Sequence, residues 1–353
     1  MNRPEPSVTS ILVAAILALS ALPAAAQDAT AKTSAPSAAP AATTATETAP
    51  PPAPKAEEKM GRELGGHYFL PSHIIDDPFS YTAFGTFFGL GSGNALGPEF
   101  QLDPPAIIGE KWYGYTGLGL GLALNVRILE YLSARASLIT TAYLGTGSGA
   151  ALTVGTSARI TGDIGVKGSL PVGDSWRFSA GLDMSYGPVF SLLLANGLLD
   201  ALNNCRANPS QCTYDLGQGF QQINTVTWTG TLTAAWAPTP YLGFTGNAQF
   251  IAPTKTGDAS IAQNGVNLAI AAEFDALPLV KWLPLGVNTA YQLTTGVGGN
   301  RVPTANIAGF GLYYTGRKNL ALGLELDWQW STLETQQIST STLAWLNFRY
   351  YWN

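Results

Sequence analysis

The hydrophobic and polar positions of this chain alternate with a period of two over long stretches. In 117–128 the even positions are Leu118, Leu120, Leu122, Leu124, Val126 and Ile128, set against Gly117, Gly119, Gly121, Ala123, Asn125 and Arg127. In 320–330 Leu320, Leu322, Leu324, Leu326, Trp328 and Trp330 oppose Ala321, Gly323, Glu325, Asp327 and Gln329. The last stretch sets Leu346, Phe348, Tyr350 and Trp352 against Trp345, Asn347, Arg349 and Tyr351. Successive side chains of a strand point to opposite faces, so such runs predict strands and oppose a helix of period 3.6. The same reading gives twelve candidate strands: 79–90, 112–128, 131–145, 151–168, 176–192, 223–237, 241–251, 264–276, 285–297, 304–315, 320–331 and 339–352.

Composition decides what the apolar face meets. Apolar residues make up 46% of the chain and charged residues 12%, about half the usual charged share of a globular domain. After the N-terminal leader no stretch approaches the ~18 uninterrupted apolar residues of a membrane helix. A membrane β-barrel combines both features, because lipid-facing and lumen-facing residues alternate. The expected fold is therefore all-β: a single transmembrane antiparallel barrel of about twelve strands.

The connections support this topology. Those after even-numbered strands (129–130, 169–175, 238–240, 277–284 and 316–319) are short, whereas those after odd-numbered strands include 91–111, 193–222 and 252–263. Short periplasmic turns with longer extracellular loops are the outer-membrane pattern, and an even strand number returns both barrel ends to one side. Aromatics fall at both rims: Trp112, Tyr113, Phe190, Phe250, Trp328 and Trp330 at the outer ends, Trp176, Phe178, Trp236, Tyr241, Phe274 and Trp352 at the inner ends. A soluble β-sandwich also alternates but accounts for neither these girdles nor the Leu-rich faces.

Ahead of the barrel, Arg3, the apolar core 11–22 and Ala24-Ala25-Ala26 before Gln27 read as a secretory signal peptide over 1–26. Residues 27–56 are rich in Ala, Thr, Pro and Ser, with little to bury, and are expected to form a disordered linker. Residues 57–78 contain Tyr68, Phe69, Leu70, Ile74 and Ile75. That apolar content predicts order, as a plug or periplasmic cap. Cys205 and Cys212, the only cysteines of an exported chain, are expected to close a disulfide in an extracellular loop. The formal net charge of −5 gives no support for a nucleic-acid partner.

With its signal peptide, alternating strands and terminal Phe348-Arg349-Tyr350-Tyr351-Trp352, the chain from 79 onward resembles Gram-negative outer-membrane β-barrel proteins of the generic porin-like class. The resemblance implies location in the outer membrane, contact with its lipid, and recognition of the C-terminal strand by the barrel-assembly machinery. Members of the class usually end on the aromatic itself, and here Asn353 follows.

Candidate chemistry is sparse. A Ser–His hydrolase needs an imidazole beside its nucleophile, but the chain's two histidines, His67 and His73, both precede the first strand. With Asp76 and Asp77 they form a loose constellation of metal-ligand types at no established spacing. The Gly117–Gly121 run lies within a strand and lacks the Lys of a phosphate loop. No cofactor is expected, and catalysis ranks third among the functions considered. The inward polar face instead collects Arg127, Arg135, Arg159, Lys167 and Arg177, with Asp163 and Asp183 among them. Glu273, Asp275, Glu325 and Asp327 lie on an opposite wall, and Arg349 is on the last strand. Opposed charged walls around water would sort ions. Inward glycines 117, 119, 121, 155, 181 and 323 leave room for an inserted backbone, either 62–77 or 191–204, or serve curvature. The expected function is a narrow diffusion channel or small-solute transporter lined by these charges. The alternative is a plugged structural or surface-interaction barrel.

Overall fold

The computed structural model describes residues 61–102, 105–147, 150, 155–192, 205, 220–254, 264–297, 304–332 and 338–352. The expectations for the leader, the linker, most of the candidate insert 191–204 and Cys212 lie outside those residues. A short hairpin, β1 (Glu63–Leu64) with β2 (His67–Tyr68), comes first. Twelve strands follow: β3 (Thr82–Leu102), β4 (Pro105–Leu129), β5 (Leu132–Gly145), β6 (Thr156–Val172), β7 (Trp176–Leu192), β8 (Phe220–Thr239), β9 (Leu242–Thr254), β10 (Asn264–Asp275), β11 (Leu285–Val297), β12 (Thr304–Tyr314), β13 (Leu320–Thr332) and β14 (Ile338–Trp352). Each pairs antiparallel with its sequence neighbours, and β14 closes on β3 from Trp352↔Thr82 to Ser341↔Gly93. Closure leaves no unpaired edge within the wall.

Alternation sets which residues face out. Leu118, Leu120, Leu122 and Leu124 remain 41–50% exposed, as do Phe310, Leu324 and Leu326 at similar levels. So continuous an apolar belt would drive aggregation in water and is the surface that lipid covers. Aromatics band the inner rim, where Trp176 stacks on Phe178 and Trp236, and Trp236 on Phe244. At the outer rim Trp330 packs against Trp328 and Tyr291.

One expected loop is a strand pair. Residues 91–111 read as a long connection because Gly and Pro crowd them, yet the β3–β4 ladder continues through Gly97↔Lys111 to Leu102↔Pro105, with a bulge at Glu99/Phe100. The β3–β14 ladder ends at Ser341↔Gly93, and Asn94 still accepts from Ser339 Oγ and Thr340 N–H. Beyond Asn94, β3 pairs among the described residues with β4 alone, and a proline, which cannot donate to a ladder, is tolerated where one edge carries no ladder. Glu99 and Lys111 pair across the extension at 3.7 Å.

The interior of the inner half is filled by the chain that precedes β3. Leu64, Phe69, Phe79 and Tyr81 pack against Ala83, Ala235, Ala237, Ala321 and Tyr351. Ile74 and Ile75 pack against Ala269, Ala271, Ala290 and Ile307. Inward alanines on β8, β10 and β11 leave the width that this segment occupies.

Candidate functional site

Residues 61–81 are joined to the wall at nearly every turn. Arg62 donates to the carbonyls of Phe69 and Lys318 and lies over the Tyr351 ring. Gly65 and Gly66 take positive φ (58° and 83°) beside Ala237 and Pro240, a conformation that a side chain would strain. His67 is fully buried, its Nδ1 3.3 Å from the Pro240 carbonyl. Its Nε2 is 3.8 Å from Glu273 Oε2, too far for a hydrogen bond.

The two charged walls hold the segment in different ways. The acidic wall accepts its donors: Leu70 N–H donates to Glu273 (2.5 Å), Ser72 Oγ to Glu325 (2.8 Å), and His73 N–H to both Glu325 oxygens (3.2 and 3.3 Å). Asn347 and Tyr313 complete the Glu325 shell. The basic wall binds its carboxylates. Asp76 pairs with Arg135, which also pairs with Asp183. Asp77 meets Lys167 at 3.3 Å and Arg349 at 3.6 Å. The basic wall is thus charge-paired by Asp76 and Asp77, whereas Glu273 and Glu325 of the acidic wall receive neutral donors from the segment.

The electrostatics of the segment follow from this placement. Burial by itself would raise the Asp77 carboxyl. Lys167 and Arg349, with donors from Tyr81 Oη (2.5 Å) and Phe79 N–H (3.0 Å), outweigh it and hold the carboxyl below its usual range. Burial also pushes the Tyr81 phenol well above its usual value. The His73 imidazole is lowered to about 3, first by burial and then by the Arg349 charge. It is therefore neutral at pH 7, and at 4.0 Å from Glu325 it makes no ion pair.

His73 completes an aromatic floor against the β3–β14 part of the wall. Its ring lies 4.5 Å from Phe87 and 4.7 Å from Trp345, with those two 5.6 Å apart. The inward glycines explain how the floor fits. A Cβ at Gly89 or Gly119 would enter the Trp345 ring, one at Gly121 the Phe87 ring, and one at Gly323 the Tyr313 ring. These glycines berth aromatic side chains rather than an inserted backbone, whereas Gly243, Gly286 and Gly309 do face His67, Leu70 and Ile74. Gly117 faces Tyr143, Gly181 lies near Arg135, and Gly155 takes positive φ.

The remaining sequence candidates divide by height. Arg177 donates to the Gly61 carbonyl and lies over Phe79, Arg349 donates to Tyr81 Oη, and Asp275 caps Leu277 N–H and accepts from Thr315. Arg127 borders small cavities at the inner rim. Asp327 is buried beside Ile74 at Gly309. On β6, Asp163 accepts from Ser137, and Arg159 is exposed. The four residues of the loose metal constellation separate: His67 to Pro240, His73 to the floor, Asp76 to Arg135, and Asp77 to Lys167 and Arg349. Among the described residues no cluster of three His, Cys, Asp or Glu could hold a metal. Cys205 is not a free thiol, but its expected partner lies outside the described residues. Sequence reasoning missed the aromatic floor, because neither Phe87 nor Trp345 stood out from the other strand aromatics.

A closed antiparallel barrel with an apolar belt, aromatic rims and a charged interior defines a transmembrane β-barrel of the porin-like outer-membrane class. No family model matches the sequence, and no curated protein matches it. Among solved structures the chain is similar to an outer membrane channel from Pseudomonas putida F1 (10% identical, covering 80% of this chain and 100% of that one, TM-score 0.49). It is also similar to the β domain of the Bordetella autotransporter BrkA (10%, 77% and 100%, 0.46) and to the Pseudomonas putida toluene transporter TodX (12%, 83% and 96%, 0.41). These likenesses are too remote to carry a functional argument, and the class rests on the chain's own geometry.

Proposed function

We propose that this protein is an outer-membrane channel for small solutes that its own N-terminal segment holds closed. The carrying observation is that residues 61–81 span the lumen, ion-paired to the basic wall and hydrogen-bonded to the acidic one, while the lumen beyond Trp345 keeps a polar cavity. In this reading Arg135, Lys167, Asp183, Glu273, Glu325 and Asp327 line the passage once the segment leaves, and Arg159 and Asp163 line it in either state. The histidines serve packing in this reading: the His67 ring lies against Pro240 and Phe69, and the His73 ring against Phe87 and Trp345.

The test is single-channel recording in planar bilayers on the parent protein and on a variant lacking residues 57–78. Low or rare conductance in the parent and steady conductance in the deletion support a segment-gated channel. A second reading, a structural barrel, draws on the same buried ion pairs, which would then serve rigidity alone. Deletion protein that folds, inserts and never conducts decides for that reading.

A further inference from the structure

Above the aromatic floor the wall of β3–β6 and β13–β14 encloses a cavity of about 310 Å³. Tyr115, Tyr143, Ser157, Gln329, Ser331 and residues 339–341 line it, and among the described residues no charged side chain does. Its volume sits at the lower end of the ~300–1,000 Å³ of small-molecule sites. We propose that this cavity binds an uncharged saccharide of one or two rings, by hydroxyl and amide hydrogen bonds from this wall and by contact with the Tyr115 and Tyr143 rings.

The chemistry of the lining selects that class. Ser339 Oγ already donates to the Asn94 carbonyl, and the Tyr115 hydroxyl is engaged with Ser341. The hydroxyls of Tyr143, Ser157 and Ser331 and the Gln329 carboxamide can both donate and accept, which matches a solute whose own hydroxyls do both. Tyr115 and Tyr143 meet edge to face at 5.7 Å and present apolar ring surface against which sugar C–H groups can lie. A charged solute finds no counter-charge within the lining, and much of the lumen's charge lies lower, engaged with residues 61–81. Arg159, two residues from Ser157 on the same strand face, is a cation that would favour an anionic sugar instead. Trp345 lies one step further in on the strand faces that carry the lining residues Gly91, Gly117 and Leu343, packed against Gly89 and Gly119.

This inference deepens the channel reading by naming its solute. It is tested by binding in detergent, where conduction plays no part, so failure here and failure to conduct are separate results. Full-length folded protein is titrated calorimetrically with maltose, glucuronic acid and lysine. The expected result is saturable maltose binding, with the other two weaker by about tenfold or more. Gln329→Leu and Tyr143→Phe should each weaken maltose by roughly three- to tenfold, the loss of one hydrogen bond. Heat-modifiable gel mobility should stay unchanged in both, showing an intact barrel. No saturable maltose binding by the parent, tighter binding of glucuronic acid than of maltose, or unaltered maltose binding in both variants would overturn the proposal.

Discussion

Asp77 Oδ1 lies 3.3 Å from Lys167 Nζ, and the same ammonium donates to the Asp77 carbonyl at 2.8 Å, so one lysine of β6 grips both the side chain and the backbone of the residue that turns the segment toward β3. Lys167 is 4% exposed, and Asp77 also holds Arg349. A buried charge left wholly unpaired costs about 3–5 kcal/mol, and Asp76, 4.0 Å from Lys167, keeps the loss for Asp77 below that. Asp77→Asn should therefore loosen residues 61–81 while leaving the barrel intact. Limited trypsin digestion at Arg62 reads this directly. Cleavage as slow as in the parent would show that the Asp77–Lys167 pair does not hold the segment.

Acidification should release the segment through His73. Its folded-state value of about 3 lies below the ~6.5 of an unperturbed imidazole. The stability it contributes is thus full above pH 6.5 and declines as pH falls toward 3, by at most about 1.4 kcal/mol per unit. The 17% of its side chain left accessible lowers that ceiling. Asp77, held below its usual range, adds its own loss only at lower pH, as the medium approaches the ~3.9 of a free carboxyl. Opening frequency in bilayers should rise between pH 7 and 4.5, and His73→Phe, which keeps an aromatic ring in the floor, should flatten that rise. A pH response undiminished in His73→Phe would assign it elsewhere.

Gly121 and Phe87 should behave as a coupled pair. A methyl group at 121 enters the Phe87 ring, and overpacking of this kind costs about 1–3 kcal/mol. Gly121→Ala should lower the thermal midpoint of the detergent-folded protein, and adding Phe87→Leu should recover part of the loss. The double-mutant cycle measures the coupling. Additive effects would mean that the ring is not held against this glycine.

Ion selectivity should follow the walls once the segment is gone. In the protein lacking 57–78, neutralising Arg135 and Arg159 with glutamines should increase preference for cations, and Glu325→Gln with Asp327→Asn should move it toward anions. Both shifts should weaken at 1 M salt, where the Debye length is ~3 Å. Reversal potentials in a salt gradient check this. Unchanged potentials in both variants would show that these side chains do not line the passage.

Cys205 and Cys212 should be oxidised and outside the cell. A membrane-impermeant maleimide should then label intact cells only after reduction. Labelling that requires permeabilising the outer membrane would invert the topology.

What the sequence determined is what local periodicity can carry. Strand identity follows from side chains alternating every residue, and that pattern needs no knowledge of the partner strand; Leu118–Ile128 and Leu320–Trp330 point outward for this reason alone. The parity of short and long connections likewise pointed to twelve strands, the number in the closed barrel. The stretch 91–111 misled because composition cannot show that β3 and β4 go on pairing past the end of the β3–β14 ladder at Gly93. The inward direction of Arg135, Lys167, Glu273 and Glu325 was legible, but their partners were not. Closure of the barrel decides which side chains look at one another across the lumen, and residues 70–77 enter that space from far away in sequence. The glycines show the same division. Their small size is read from the chain, whereas the rings of Trp345, Phe87 and Tyr313 that require it arrive from other strands or across the pleat, where only closure and register bring them to bear.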